Sequence, residues 1–416
     1  MRSHSVYLLQ VKIIFMKQQI ALLKGDPKPY DWGGSTYIPS LLQIENPNQQ
    51  PYAEYWMGVH PQAKCLLHFN DGQEMLLREY IAEDLENLLG EKVFKTFGNM
   101  PYLLKILDVK NMLSIQVHPS KKQAAIDFEE ENKKGIPLNA PNRNYKDTNH
   151  KPELMVAMSD FYLLHGFKPE KELLNILHNT PELRLFIPVF EKEGYTGLYK
   201  MAMELPQEEV NELLQPLLNR IVPLYQQNQL SKNDENFWAA RASLTFAQPN
   251  IIDRGIFSIY FFNVLHLNKG DAIFQDAGMP HAYLEGYNVE IMASSDNVLR
   301  GGLTTKHIDT VELLKHTKCE ATIPNIIKNE DKAAQVYKTP AADFELSCFK
   351  LGENEQTTFT ADTAEIYLLI SGEAELKSGN DSEMLKKGAI AAAGFSGAEI
   401  TISATEGALV FRASVP

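Results

Sequence analysis

Cysteine is scarce in this chain of 416 residues: Cys65, Cys319 and Cys348 are the whole supply, odd in number and never in a C-x-x-C pair. A disulfide framework and a thiolate metal site are both disfavoured, and a reducing, cytoplasmic setting is expected. Cations are also in deficit, with 40 Lys and Arg against 53 Asp and Glu and a formal net charge of -13. Nucleic acid and anionic membrane surfaces are bound chiefly through basic patches, so neither is an expected partner. An anionic substrate must instead meet a local cluster of Lys and Arg. Long apolar runs are missing too. Val6, Tyr7, Leu8, Leu9, Val11, Ile13 and Ile14 come closest, but Lys12 interrupts them. That stretch is too short to span a bilayer, and no small-residue cleavage site follows it. Met16 begins a more ordinary opening, so residues 1–17 are expected to be a loosely packed extension from an upstream start, carrying no function.

What is present is the material of a globular protein in two or three domains, at 44% hydrophobic residues. The chemistry gathers around Ser114-Ile115-Gln116-Val117-His118-Pro119, at the end of an apolar run over residues 102–117 that reads as β. Side chains alternate along a strand, so Gln116 and His118 share a face while Ile115 and Val117 take the buried one. Pro119 removes a ladder donor and ends the strand. Two residues alone cannot hold a metal. Without further ligands, the pair reads as a surface amide and a satisfied imidazole.

Further along, residues 76–89 and 123–134 have helical spacing, and residues 136–149 form a loop rich in Asn and Pro. His150-Lys151-Pro152-Glu153 then leads straight into the apolar Leu154-Met155-Val156-Ala157. An acid, a base and an imidazole packed against an apolar strand are costly unless they are used. From residue 166 to residue 250 the spacing of Leu173, Leu177, Val210, Leu214, Leu217 and Ile221 predicts an all-helical insertion whose apolar stripes are core. β character returns at Val264. Gly270-Asp271-Ala272-Ile273-Phe274-Gln275 follows, with a turn at Gly278 and a histidine, His281, three residues on.

That spacing resembles the second motif of cupins, small antiparallel barrels that hold a metal inside, with Asp276 where proline is usual. The resemblance extends further. Gln116-x-His118, Asn149-His150-Lys151-Pro152-Glu153, Pro280-His281-Ala282-Tyr283, and Ser295-Asp296-Asn297-Val298-Leu299-Arg300-Gly301-Gly302 occur in the order seen in type I phosphomannose isomerases. Tyr30-Asp31-Trp32-Gly33-Gly34 is similar to that family's opening signature. The resemblance implies a mainly β fold with a cupin (jelly-roll) catalytic domain at 18–165 plus 251–325 and the helical insertion at 166–250. Residues 326–416 show short alternating runs and no histidine, and read as a second, metal-free jelly-roll domain.

Carried over residue by residue, the resemblance implies one zinc per chain on Gln116, His118, Glu153 and His281. It also implies interconversion of mannose 6-phosphate and fructose 6-phosphate through a cis-enediol. Arg300 matches the family's catalytic arginine and is assigned to the developing enediolate. Glu290 is the candidate base, with a structural partnership to Arg300 or Lys306 as the alternative. Asp296, Lys151 and His150 are candidates for ring opening and proton shuttling, and Ser114, Lys121 and Lys306 for the phosphate or sugar hydroxyls. A monomer is expected. Two rivals are an iron-dependent cupin oxygenase, which needs only two His and a carboxylate, and a non-catalytic sugar-phosphate sensor.

Overall fold

In a computed structural model, the structure describes residues 18–416; the expected amino-terminal extension lies outside them. Strands in antiparallel sheets and helices share the chain. Among the described residues no helix is long and apolar enough to cross a membrane.

The strand Tyr102–Val109 is buried along its whole length, as expected for a near-continuous apolar run. Glu54–Gly58 pairs with it on one side and His281–Ala293 on the other. His281–Ala293 is the long organiser of this ten-stranded sheet. Its first residues pair with Phe161–Phe167, and its later ones with Glu153–Ala157 and Tyr102–Val109. Between the two halves the register shifts by a bulge next to Gly286, whose φ is 130°. A side chain at Gly286 would collide with Phe161 at 2.6 Å, so this bend requires glycine. The bent sheet surrounds an apolar floor of Leu107, Met155, Phe161, Leu163, Ile273 and Tyr283.

The apolar run over 102–117 that reads as β is strand in two pieces. The first ends at Val109, the chain bends at Lys110 and Asn111, and only Gln116–Val117 is strand again. That short piece pairs with Leu299–Arg300 and touches His281. Polar Lys110 and Asn111 interrupt the apolar run, and the backbone N–H of Asn111 and of Leu113 go to the carbonyls of Trp32 and Tyr283, distant in sequence, rather than to a ladder partner.

Residues 76–89 form two short helices, Leu77–Ala82 and Leu85–Leu89. The helix Lys121–Lys133 starts on Ser120, whose side chain accepts from the Gln123 N–H at 3.3 Å. Helices run from Glu170 to Thr245 and add Gly255–Phe261, somewhat past the expected limit. They pack Leu173, Leu177, Leu214, Leu217, Trp238 and Phe257 into one core.

Beyond residue 333 the strands fall into an eight-stranded and a four-stranded sheet. Ile20, Leu369, Leu376, Ile400 and Val410 form the core they share. The amino-terminal strand Ile20–Lys24 sits inside the eight-stranded sheet, between Ala391–Gly394 and Leu66–His68. One continuous sheet therefore joins residues from both sides of position 326.

Candidate metal centre

His118, Glu153 and His281 arrive from three separate elements and converge in a buried cluster. Glu153 begins a strand of five buried residues. His281 opens the long strand immediately after the turn at Gly278, whose φ of 79° and close approach to the His316 carbonyl exclude a side chain. The Gly278 N–H donates to the His118 carbonyl at 2.8 Å, tying the two histidine-bearing segments together.

The imidazoles are oriented alike. His118 Nδ1 lies 2.8 Å from the Asn297 carbonyl, and His281 Nδ1 lies 2.9 Å from the Met279 carbonyl. Each carbonyl requires a proton on Nδ1, which leaves the Nε2 lone pair directed inward. There the His118 Nε2 is 3.5 Å from one Glu153 oxygen and the His281 Nε2 is 3.2 Å from the other. His118 Nε2 is buried and has no hydrogen-bond partner. An orphaned lone pair on a fully buried ring, beside a carboxylate and a second imidazole, fits a metal ion. Gln116 pairs in register with His281 and lines the same small cavity as Glu153 and His281.

Charge at the site is arranged for ligation. Burial opposes ionisation of Glu153, but the Lys151 ammonium and His118 outweigh it and hold the carboxyl well below the usual range. Burial, reinforced by Lys151, pushes His118 down to about 4. Both groups are then in the protonation state a metal requires at neutral pH. Lys151 reaches Glu153 through its Nζ.

The rest of the cavity wall holds a residue that the sequence reading passed over. Lys105 is 6% exposed, with Nζ 3.2 Å from Glu290 and 3.6 Å from Glu54. Burial works against its charge, yet Glu54 and Glu290 raise its pKa. Tyr283 donates to the other Glu290 oxygen at 2.8 Å. Burial, and then the charge of Glu153, raise the Glu290 pKa. The sequence signal was available, since a lone lysine within Tyr102-Leu103-Leu104-Lys105-Ile106-Leu107 must find a partner when the strand is buried. Glu290 is thus partnered by Lys105 and Tyr283 rather than by Arg300 or Lys306.

Arg300 faces Gln116 across the Leu299–Arg300 pairing. Burial lowers its pKa, and no carboxylate among the described residues is paired with it. Lys306 is pushed down by burial and by Arg300; Lys146 is pushed down chiefly by burial, with Arg300 contributing. A chain with a large negative charge thus gathers cations here.

Other candidates have surroundings of their own. The Asp296 carboxylate is held at 3.3 Å by His60, which outweighs burial and lowers its pKa. His150 directs Nε2 to Asp343, 2.9 Å away, in the carboxy-terminal region. Ser114 is half-buried just before Gln116. Lys121 is exposed, with its ammonium 5.8 Å from the centre of the Phe97 ring. A second cluster of ligand types, Asp127, Glu312 and His316, differs from the first. Lys315 holds Asp127 at 2.7 Å, and Tyr145 donates to Glu312 at 2.6 Å and lies 2.8 Å from His316 Nε2, so these groups satisfy one another.

The type I phosphomannose isomerase catalytic-domain family model matches residues 20–170. The mannose-6-phosphate isomerase of Escherichia coli K12 is 37% identical over 366 residues, covering 86% of this chain and 90% of its own. The human mannose-6-phosphate isomerase is 34% identical over 376 residues, covering 82% and 85%. A crystal structure of mannose 6-phosphate isomerase from Salmonella typhimurium, bound to its substrate fructose 6-phosphate and to zinc, superposes with a TM-score of 0.85 at 32% identity. The match covers 96% of this chain and 100% of that one.

Proposed function

The chain belongs to the type I phosphomannose isomerases, and from that premise we propose that it interconverts mannose 6-phosphate and fructose 6-phosphate at a single zinc held by Gln116, His118, Glu153 and His281. The observation that carries this reading is the convergence of two Nδ1-anchored imidazoles on one buried carboxylate. An uncharged Gln116 as fourth ligand leaves the site a net positive charge, as suits a catalytic rather than a closed structural centre. Bound there, zinc supplies Lewis acidity toward the carbonyl and hydroxyl oxygens of the sugar.

The chain's own groups supply the rest. The reaction moves a proton between C2 and C1 through a cis-enediol, so it needs a positioned base and charge stabilisation away from water. Glu290 is assigned as the base: its raised pKa makes it a stronger proton acceptor than an ordinary carboxylate, and Lys105 and Tyr283 fix its two oxygens. Lys105, kept as an ammonium by Glu54 and Glu290, donates to Glu290 and holds it in place. Arg300, next to Gln116, is assigned to the oxygen where negative charge develops. Lys306 and Lys146, with Ser114, are assigned to the phosphate and sugar hydroxyls. Asp296 and Lys151 are assigned to ring opening. His150 is assigned to holding Asp343 rather than to proton transfer.

The antiparallel layout supports two jelly-rolls, one at 18–165 plus 251–325 and one at 326–416, with the helical insertion at 166–250 between strands of the first. In this reading Ile20–Lys24 is lent to the second. Buried, unpaired Cys65 and Cys348 suit a reducing compartment, and a monomer is the proposed state.

A coupled isomerase assay on the purified chain, with and without chelator, tests the function. Incubation in heavy water separates an enzyme, which exchanges the C2 proton, from a sensor, which binds and leaves it in place. Full turnover without oxygen removes the oxygenase.

A further inference from the structure

Asn297 belongs neither to the ligand set nor to the cation cluster, yet it joins the two stretches that carry them. It is 0% exposed. Its backbone carbonyl fixes the His118 Nδ1 at 2.8 Å. Its side-chain Oδ1 accepts the backbone N–H of Lys146 at 2.7 Å and that of Asp147 at 3.3 Å. Its Nδ2 donates to the carbonyls of Asp147 and Asn149, each at 2.8 Å, and to the Asp147 carboxylate at 3.2 Å. Asp147 returns the grip, accepting from the Ser295 hydroxyl at 2.9 Å and the Asp296 N–H at 2.8 Å.

Residues 146–149 lie in no helix or strand, so their part-buried backbone groups have no ladder to satisfy them. One side-chain amide takes up four of them, the N–H groups of Lys146 and Asp147 and the carbonyls of Asp147 and Asn149. The loop it holds leads, within four residues, to Lys151 and Glu153.

We propose that Asn297 is a positioning residue that sets the geometry of the metal centre by locking His118 to the loop that delivers Glu153. The inference rests on the zinc reading above. An Asp at this position has the same shape but no donors. It would set a carboxylate against two carbonyls and the Asp147 carboxylate, so Asn297→Asp is the harsher change and Asn297→Ala the cleaner one.

The test loads cobalt(II) in place of zinc and reads two quantities that do not depend on turnover: the d–d absorption bands, which report ligand geometry, and metal affinity by chelator competition. Leu217→Ala, in the helical core, serves as a control that destabilises the fold away from the site. Asn297→Ala keeps the carbonyl that holds His118 but removes the side chain that ties it to the 146–149 loop; it should bind metal on the order of 10-fold more weakly, within the range seen when the support of a metal ligand is disturbed, and should shift the cobalt bands. Asp147→Asn, which keeps the shape and some of the bonds, should do both to a smaller degree and serves if Asn297→Ala does not fold. Leu217→Ala should lower the melting temperature and leave both readouts as in the wild type. The inference is overturned if Asn297→Ala binds metal within about twofold of wild type with unchanged bands, or if Leu217→Ala shifts both readouts equally. A wild-type chain that takes up no cobalt or zinc overturns the zinc reading itself, and this inference with it.

Discussion

The two β regions of the molecule are built from the same antiparallel pairing and differ in what they enclose. Around the metal-ligand cluster the interior holds Lys105, His118, Lys151, Glu153, His281 and Glu290, all buried. The carboxy-terminal sheets enclose Leu369, Leu376, Ile400, Ile402 and Val410. Their chief buried charge is Glu365, gripped by Arg412, whose Nε is 2.7 Å away, and by the Tyr367 hydroxyl. A self-contained pair of that kind closes on itself. In the first region His118 Nε2 stays orphaned and Arg300 has no carboxylate partner among the described residues. Ligand-type groups gathered in one buried cluster with a lone pair left open mark a place for a ligand, whereas the Glu365–Arg412 pair needs none.

The sharpest way to break this contrast is to remove one group from each region. His118→Ala or His281→Ala should empty the metal site and lower isomerase activity by on the order of 10³-fold or more, in a chain that still folds. Arg412→Ala leaves Glu365 buried and unpaired. It should cost about 3–5 kcal/mol of stability while metal content and kcat of the folded fraction stay unchanged. Denaturant unfolding beside metal analysis reads both; if Arg412→Ala emptied the metal site, the division between the regions would fail.

Within the first region, Arg300→Ala should keep the fold and the zinc and lower kcat by about 10²–10³ with a modest change in KM. Arg300→Lys should recover little, because a flexible ammonium does not reproduce a planar fork. A large rise in KM at nearly constant kcat would transfer Arg300 from the reacting oxygens to the phosphate.

The contact between the regions is a subtler case. If His150 only holds Asp343, His150→Ala should lower kcat by less than about tenfold, whereas a proton-transferring role predicts about 10²–10⁴. Steady-state kinetics at saturating zinc distinguishes the two.

The smallest effect is in pH. Glu153 is held low and His118 is pushed down to about 4, so both bind fewer protons folded than unfolded. Their contribution is present near neutrality and is lost as pH falls through those values. Glu383, in the carboxy-terminal strand Asp381–Leu385, is pushed up to about 7 by burial and by Asp381. It binds more protons folded, so its contribution is full in acid and is lost as pH rises toward 7. Glu383→Gln should remove this one falling contribution, so that between about pH 5 and 7 the stability of the metal-free variant changes more favourably with rising pH than that of the wild type; melting curves across pH would show it.

Much of the centre was legible in the chain because its signals are local. The two-residue spacing of Gln116 and His118, the charged His150-Lys151-Pro152-Glu153 ahead of an apolar strand, and Gly278 three residues before His281 each announce a geometry within one element. What escaped is set by contacts distant in sequence. The bend at Lys110 follows from bonds to Trp32 and Tyr283. The turn of His150 toward Asp343 spans 193 positions, and the pairing of Ile20–Lys24 with Ala391–Gly394 crosses almost the whole described chain. No periodicity carries such partners. Lys105 lies between these cases: its sequence position said that it must be paired, and only the fold said that Glu54 and Glu290 are the partners.

The central claim is that one zinc on Gln116, His118, Glu153 and His281 is where turnover occurs. Stripping the chain of metal and titrating zinc back while following isomerase activity tests it most directly. Activity should be absent at the start, rise in proportion to added zinc and level off at one equivalent per chain, with His118→Ala inactive throughout. Activity in the metal-free chain, or a rise that continues to a second equivalent, would contradict it.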